Sequence, residues 1–260
     1  KREQCSCECF EKAEKAFADY AQETAAMIVE PLLQGSAGMR IYPALYLKKL
    51  RALCDRYNVL LICDEIATGF GRTGRMFACD HAGIAPDIMC ISKGLTGGYL
   101  PMSITVTTQK LYDAFYADYS EGRAFMHSHT YSGNPLGCAA ALAVQKIFRT
   151  QPVLQTAQEN AKWLTKRFAE EFADHPNVGE IRHIGLIHAI ELVQDRQKKQ
   201  DFAPEKRVGY EIYKRALAKG LVLRPLDNVL YFNPALNITR DELDIALART
   251  RASIEEILPR

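Results

Sequence analysis

Short apolar runs that each stop at a charged residue constrain this chain most. Ala25-Ala-Met-Ile-Val runs into Glu30, Val59-Leu-Leu-Ile-Cys runs into Asp64, and Ile88-Met-Cys-Ile reaches Lys93 through one serine. Runs of this length, rich in Ile and Val, read as buried strands. The first spans Ala25–Leu32, the second Val59–Cys63 and the third Ile88–Ile91, with a fourth strand at Ser103–Thr107. Between the first two, Tyr46–Tyr57 carries Leu47, Leu50, Leu53 and Cys54 at helical spacing on one face. Alternating strands and helices predict an α/β domain on a mainly parallel sheet. Ligands of such sheets gather at the carboxyl ends of strands. Glu30, Asp64 and Lys93 all fall there.

A lysine ending a buried strand is costly, because burial disfavours its charged form. With an acid delivered to the same sheet edge, the pair reads as a Schiff-base site. The pyridoxal-phosphate pattern is a lysine joined to the cofactor and an acid facing its pyridinium nitrogen. Ser-Lys-Gly alone is a weak signal, since a lone lysine after a strand is usually a solvated loop residue. The long string Asp64-Glu-Ile-Ala-Thr-Gly-Phe-Gly-Arg-Thr-Gly at the other strand end adds the weight. Asp64 is therefore assigned to the ring nitrogen, with a helix cap or a loop salt bridge as the alternative. Ile66, two residues on, faces the same side in an extended segment and is placed to pack on the ring or in the core. Gly94, Gly97 and Gly98 allow close backbone approach. The segment from Lys93 to Tyr99 contains neither G-x-x-x-x-G-K-[ST] nor G-x-G-x-x-G and so does not read as a nucleotide loop.

The stretch His127-Ser-His-Thr-Tyr-Ser-Gly-Asn-Pro is rich in hydroxyls and precedes a helix start, with Asn134 as cap and Pro135 in the first position. It suits a phosphate site with Thr130 as first choice, or a plain capped loop. Its two histidines lack a third metal ligand. Arg224, before a proline at a strand end, and Arg72 are candidate carboxylate clamps, since a guanidinium grips a carboxylate bidentately. Surface arginine is the alternative for both.

Residues 10–23 read as a helix. A helical pattern running from 135 to about 174 breaks near Thr150-Gln-Pro. Beyond it, the spacing predicts strands at Val178–Ile184 and Leu186–Leu192 around Gly185, and a helix over about 204–218 ended by Gly220. Strands follow at Val222–Pro225 and Val229–Phe232, then a last helix opened by the capping box Thr239-Arg-Asp-Glu. Residues 1–150 are read as a cofactor-binding large domain and 151–260 as a small α+β domain.

A net charge of +2 supplies no field for nucleic acid or an anionic membrane. No apolar run reaches the length of a membrane span, and the start at Lys1 does not read as a signal peptide. Most of the eight cysteines stand singly, several in apolar runs, which suits a reducing cytoplasm better than a disulfide framework. Cys5, Cys7 and Cys9 lack a second ligand pair at zinc spacing and read as incidental cysteines on an exposed leading helix.

Four stretches together resemble the class III, fold-type I pyridoxal-phosphate aminotransferases. They are Glu30-Pro-Leu-Leu-Gln-Gly-Ser-Ala-Gly-Met, the Asp64 string, Pro86-Asp-Ile-Met-Cys-Ile-Ser-Lys-Gly-Leu-Thr-Gly-Gly-Tyr, and Arg224-Pro-Leu-Asp-Asn-Val-Leu-Tyr. The Leu95-Thr-Gly-Gly and Arg224…Tyr231 portions are similar to the branch that serves biotin synthesis. The resemblance implies a fold-type I large domain, here incomplete, with a small carboxy-terminal α+β domain. It implies Lys93 as the cofactor lysine and Asp64 as the pyridinium partner, with Ile66 and His129 at the cofactor. Thr130 would bind the phosphate of a neighbouring subunit's cofactor, making the active unit a homodimer. Arg224 would bind the carboxylate of a keto acid, with Ser128, Arg72 and Tyr231 at the substrate. Where many relatives have His-Gly-Pro-Thr, this chain has His127-Ser-His-Thr. With Gly98-Tyr-Leu-Pro, that pattern is similar to relatives taking the amine from lysine rather than S-adenosylmethionine. The resemblance further implies a long segment in relatives ahead of the equivalent of Lys1, carrying the turn for the cofactor's own phosphate. Two other readings stand beside this one: another ω-aminotransferase or aminomutase of the class, and a chain that only dimerises.

Overall fold

A computed structural model describes residues 5–259. In chain order its regular elements are α1 (Glu11–Tyr20), β1 (Ala26–Val29), β2 (Leu33–Gln34), β3 (Arg40–Ile41), α2 (Ala44–Tyr57), β4 (Leu60–Asp64), β5 (Ile88–Ile91) and β6 (Ile104–Thr107). They continue with α3 (Gln109–Asp113), α4 (Pro135–Thr150), α5 (Val153–Phe172), β7 (Val178–Ile184), β8 (Ile187–Leu192), α6 (Val208–Ala218), β9 (Val229–Phe232) and α7 (Arg240–Ile257). The chain divides into two compact units. One holds the chain through Leu32, Tyr42–Phe70 and Met76–Gln151; the other holds Leu33–Ile41, Gly71–Arg75 and everything from Pro152.

The first unit is built on a four-stranded sheet in the order β1-β4-β5-β6. The first three strands are parallel and β6 is antiparallel to β5. Alternation along β4 turns Leu61 and Cys63 fully inward, where they meet Leu50, Leu53 and Cys54 of α2. Each fully buried leucine of this kind contributes roughly 1.5–3 kcal/mol. Asn58, left-handed at φ 54°, stops α2 and turns the chain into β4, with the Val59 N–H donating to the Cys54 carbonyl at 2.9 Å. Asp87 then fixes the entry to β5. Its Oδ2 accepts from Arg51 at 2.6 Å and from the Leu61 N–H at 2.7 Å.

In the second unit β7, β8 and β9 form an antiparallel sheet in that order. Phe168 and Phe172 of α5, Ile212 of α6 and Leu243 and Leu247 of α7 close its core over Ile190, Leu192 and Leu230. The Thr239 capping box opens α7, with Glu242 Oε2 accepting from the Thr239 N–H at 2.9 Å. The β2–β3 hairpin is tied to this sheet by buried Arg182, which donates to the carbonyls of Met39 (3.1 Å) and Gly38 (2.7 Å) and pairs with Glu180 and Glu191.

Several expectations are corrected. Val222–Pro225 forms no strand: only Leu226 makes a bridge, back to Val229, and Val222 is exposed. By contrast, the helix expected over residues 10–23 is present as α1 with short 3-10 turns at both ends, and the long helical pattern breaks after Thr150 and runs to Phe172 as expected. The leading cysteines are not all exposed: Cys7 is buried in a left-handed turn, joined to the core through Phe10. No helix among the described residues is long and apolar enough to cross a membrane.

Candidate active site

Asp64 is the last residue of β4, and its register partner on β5 is Cys90. Three residues beyond Cys90, Lys93 opens a 3-10 turn. Adjacent parallel strands therefore deliver the acid and the lysine to one carboxyl edge. Asp64 Oδ1 accepts the Ile66 N–H at 3.0 Å, and its other oxygen takes no hydrogen bond from the described residues. Lys93 Nζ likewise makes no hydrogen bond or ion pair among them. The two groups are not paired with each other. An unpartnered amine and an unpartnered carboxylate oxygen on neighbouring strand ends are the donor set that an aldehyde-bearing pyridine requires. The residues present fit pyridoxal phosphate.

Two local expectations change here. Lys93 is exposed rather than buried, because the strand ends at Ile91 and the chain turns outward at Ser92; its φ of 40° is left-handed, an uncommon conformation for a non-glycine residue. Ile66 lies in a tight turn rather than an extended segment, and is half-buried. Among the glycines, Gly94 serves packing: a Cβ there would lie 2.6 Å from Phe70 Cβ.

Ser128, His129 and Thr130 lie in an exposed loop before α4. Its bonds are local: the His129 carbonyl accepts from the Ser132 N–H at 3.0 Å, and Asn134 caps α4 by accepting from the Leu136 N–H at 2.9 Å. No hydrogen bond joins the loop to Asp64 or Lys93.

Arg72, Arg224 and Tyr231 belong to the second unit. Arg72 donates to the carbonyl of Pro234, two residues beyond β9, the strand that carries Tyr231. Burial lowers its guanidinium to about 10, and no carboxylate pairs with it among the described residues. Arg224 is exposed and also unpaired. No group of three or more His, Cys, Asp or Glu among the described residues is arranged to hold a metal ion.

A buried cluster behind Asp64 escaped the sequence reading. Glu65 is fully buried, and accepts from the Thr68 hydroxyl and from the Cys79 N–H at 2.8 Å. The hydrogen bond with Cys63, burial and the nearby Glu65 carboxyl push the Cys79 thiol far up. The signal available was an acid followed at the third position by threonine in a glycine-bounded turn.

The mainly parallel sheet of the first unit, in a chain that also holds a small α+β unit, is of the fold-type I pyridoxal-phosphate transferase class. More particularly, the family model "Aminotransferase class-III" matches residues 1–254, and the chain belongs to that family of pyridoxal-phosphate enzymes. It is 44% identical over 253 residues to the adenosylmethionine-8-amino-7-oxononanoate aminotransferase of Geobacter sulfurreducens, covering 97% of this chain and 56% of that protein. It is 44% identical to the protein of the same name in Anoxybacillus flavithermus, covering 94% and 53%. The crystal structure of the Methanocaldococcus jannaschii protein of that name superposes with a TM-score of 0.93 at 37% identity, over 96% of this chain and 58% of that one. The chain thus spans little more than half the length of these relatives.

Proposed function

We propose that this chain is the larger part of an aminotransferase that converts 8-amino-7-oxononanoate to 7,8-diaminononanoate. The amine would come from S-adenosylmethionine or lysine, and the enzyme would act as a homodimer in the cytoplasm. The carrying observation is the unpartnered amine and carboxylate on adjacent strand ends; the relatives' shared name supports the substrate. Bound there, pyridoxal phosphate supplies an electron sink for the carbanion left when a proton leaves the substrate carbon. Lys93 would hold the cofactor through its aldehyde group in the absence of substrate and, once displaced by the incoming amine, would carry a proton at its free Nζ from the substrate carbon to the cofactor. Asp64 keeps the pyridine nitrogen protonated, with Oδ1 steadied by the Ile66 N–H. Ile66 packs on the ring. His129 lies at the cofactor and Thr130 holds the phosphate of a second subunit's cofactor. Arg224 grips the substrate carboxylate, aided by Arg72, Tyr231 and Ser128. The donor leaves its amine at the site, and the keto acid takes it in a second half-reaction.

Borohydride reduction of the chain with pyridoxal phosphate, followed by peptide mapping, tests this. The label is expected on Lys93 and absent from Lys93→Ala, whose turnover should fall by at least about 10³-fold. Scattered label on surface lysines, or retained turnover in Lys93→Ala, rejects the assignment. A second reading, an ω-aminotransferase or aminomutase, is favoured by the likeness to a thermostable omega transaminase variant (TM-score 0.87, 33% identity). Faster amination of a short ω-aldehyde than of the long keto acid would select it.

A further inference from the structure

We propose that Glu65 is a positioning residue: its buried carboxyl group, held by Thr68 and Cys79, locks the turn after β4 and so sets Asp64 relative to Lys93. The inference rests on the assignment of those two residues above. Glu65 is completely buried and no cation pairs with it among the described residues. A carboxyl group in that setting is costly unless both oxygens are hydrogen-bonded. Here one accepts from the Cys79 N–H at 2.8 Å and the other from the Thr68 hydroxyl. Both donors are themselves buried, so water does not compete for the group.

The main chain of Glu65 is engaged as well. Its N–H donates to the Cys90 carbonyl on β5 and its carbonyl accepts from the Gly69 N–H, both at 2.9 Å. Gly69 has no room for a side chain, since a Cβ would lie 2.9 Å from that carbonyl oxygen. At the far end of the turn Phe70 is buried, left-handed at φ 56°, and pressed against Gly94. The turn therefore begins beside Asp64 and ends against the residue after Lys93. The Ile66 N–H that orients Asp64 belongs to the same turn. An apolar side chain could fill the Glu65 site without the cost of burying a carboxyl. A doubly hydrogen-bonded carboxyl adds direction, which the separation of lysine and acid requires.

Three variants test the lock. Thr68→Val removes the hydroxyl at nearly constant volume, Thr68→Ser keeps it, and Glu65→Gln turns an N–H towards a donor. Amide hydrogen exchange at Ile66 and Gly69, read without cofactor, should accelerate about tenfold or more in Thr68→Val and Glu65→Gln while Leu61–Cys63 stay as in the parent. With pyridoxal phosphate bound, the pH at which the visible band titrates should move by roughly one unit in those two variants and return with Thr68→Ser. Unchanged exchange at Ile66 and Gly69, or equal acceleration throughout the sheet, overturns the lock. A parent chain labelled on Lys93 whose band titrates identically in Thr68→Val and Thr68→Ser overturns the positioning role alone. A parent chain unlabelled on Lys93 overturns the cofactor assignment first, and the role with it.

Discussion

At the scale of single residues, His188 shows how a neutral group is held in the second unit. It is fully buried on β8, stacked on His183 at 5.3 Å between ring centres. Thr165 gives its one hydroxyl proton to the Ala161 carbonyl at 2.9 Å, so it accepts from His188 Nε2–H at 3.0 Å. Burial and the nearby His183 lower His188 from 6.5 to about 3. A folded value below the unfolded one means that the unfolded chain binds the proton more readily. The stability is then complete above pH 6.5 and is lost as pH falls towards 3. Roughly 2 kcal/mol should be gone by about pH 5. Urea unfolding at pH 7.5 and at pH 5 checks this: the loss on acidification should be smaller by about that amount in His188→Phe. An equal loss in both proteins would show that the histidine is not the source.

At the scale of elements, Gly185 decides how the β7–β8 hairpin turns. It is left-handed at φ 52°, and a Cβ there would lie 2.4 Å from the Arg72 carbonyl oxygen and from the Thr73 carbonyl carbon. Both obstacles are backbone, which cannot swing aside. Gly185→Ala should therefore cost about 3 kcal/mol or more. Gly83→Ala, at φ 62° with nothing within 4 Å, should cost only about 1 kcal/mol. Chemical denaturation that ranks the two equally would remove the steric argument. The same comparison explains what could be read in advance. Gly185 between two apolar runs announced a hairpin, and β4 and β5 were legible because continuous apolar runs of strand length have few other uses. Val222–Pro225 looked similar, yet no neighbouring strand offers it a ladder, and pairing partners are not written in a local run. Asp64 and Lys93 were legible as chemistry at strand ends. Glu65 was not, because its partners Thr68 and Cys79 are assembled only by the turn and the segment that follows it.

At the scale of the whole molecule, one stretch of the first unit carries many exposed apolar side chains. Tyr99, Tyr116, Tyr119, Phe125, Met126, Tyr131 and Leu136 are each at least 65% exposed, and all lie within one stretch of the first unit. Large apolar side chains exposed in such number suit an interaction surface. The loop holding Ser128, His129 and Thr130 runs through the same stretch and bonds only to itself. In the proposed homodimer a second copy of the chain would cover the aromatic residues while receiving Thr130. Sedimentation at micromolar concentration should then show a dimer. The pair Phe125→Ser and Met126→Ser should together weaken it by at least about 100-fold, on the basis of roughly 1.5–3 kcal/mol per large apolar side chain buried. A parent chain that stays monomeric across that range would remove the second copy as the partner. Thr130 would then have to act, if at all, within its own chain.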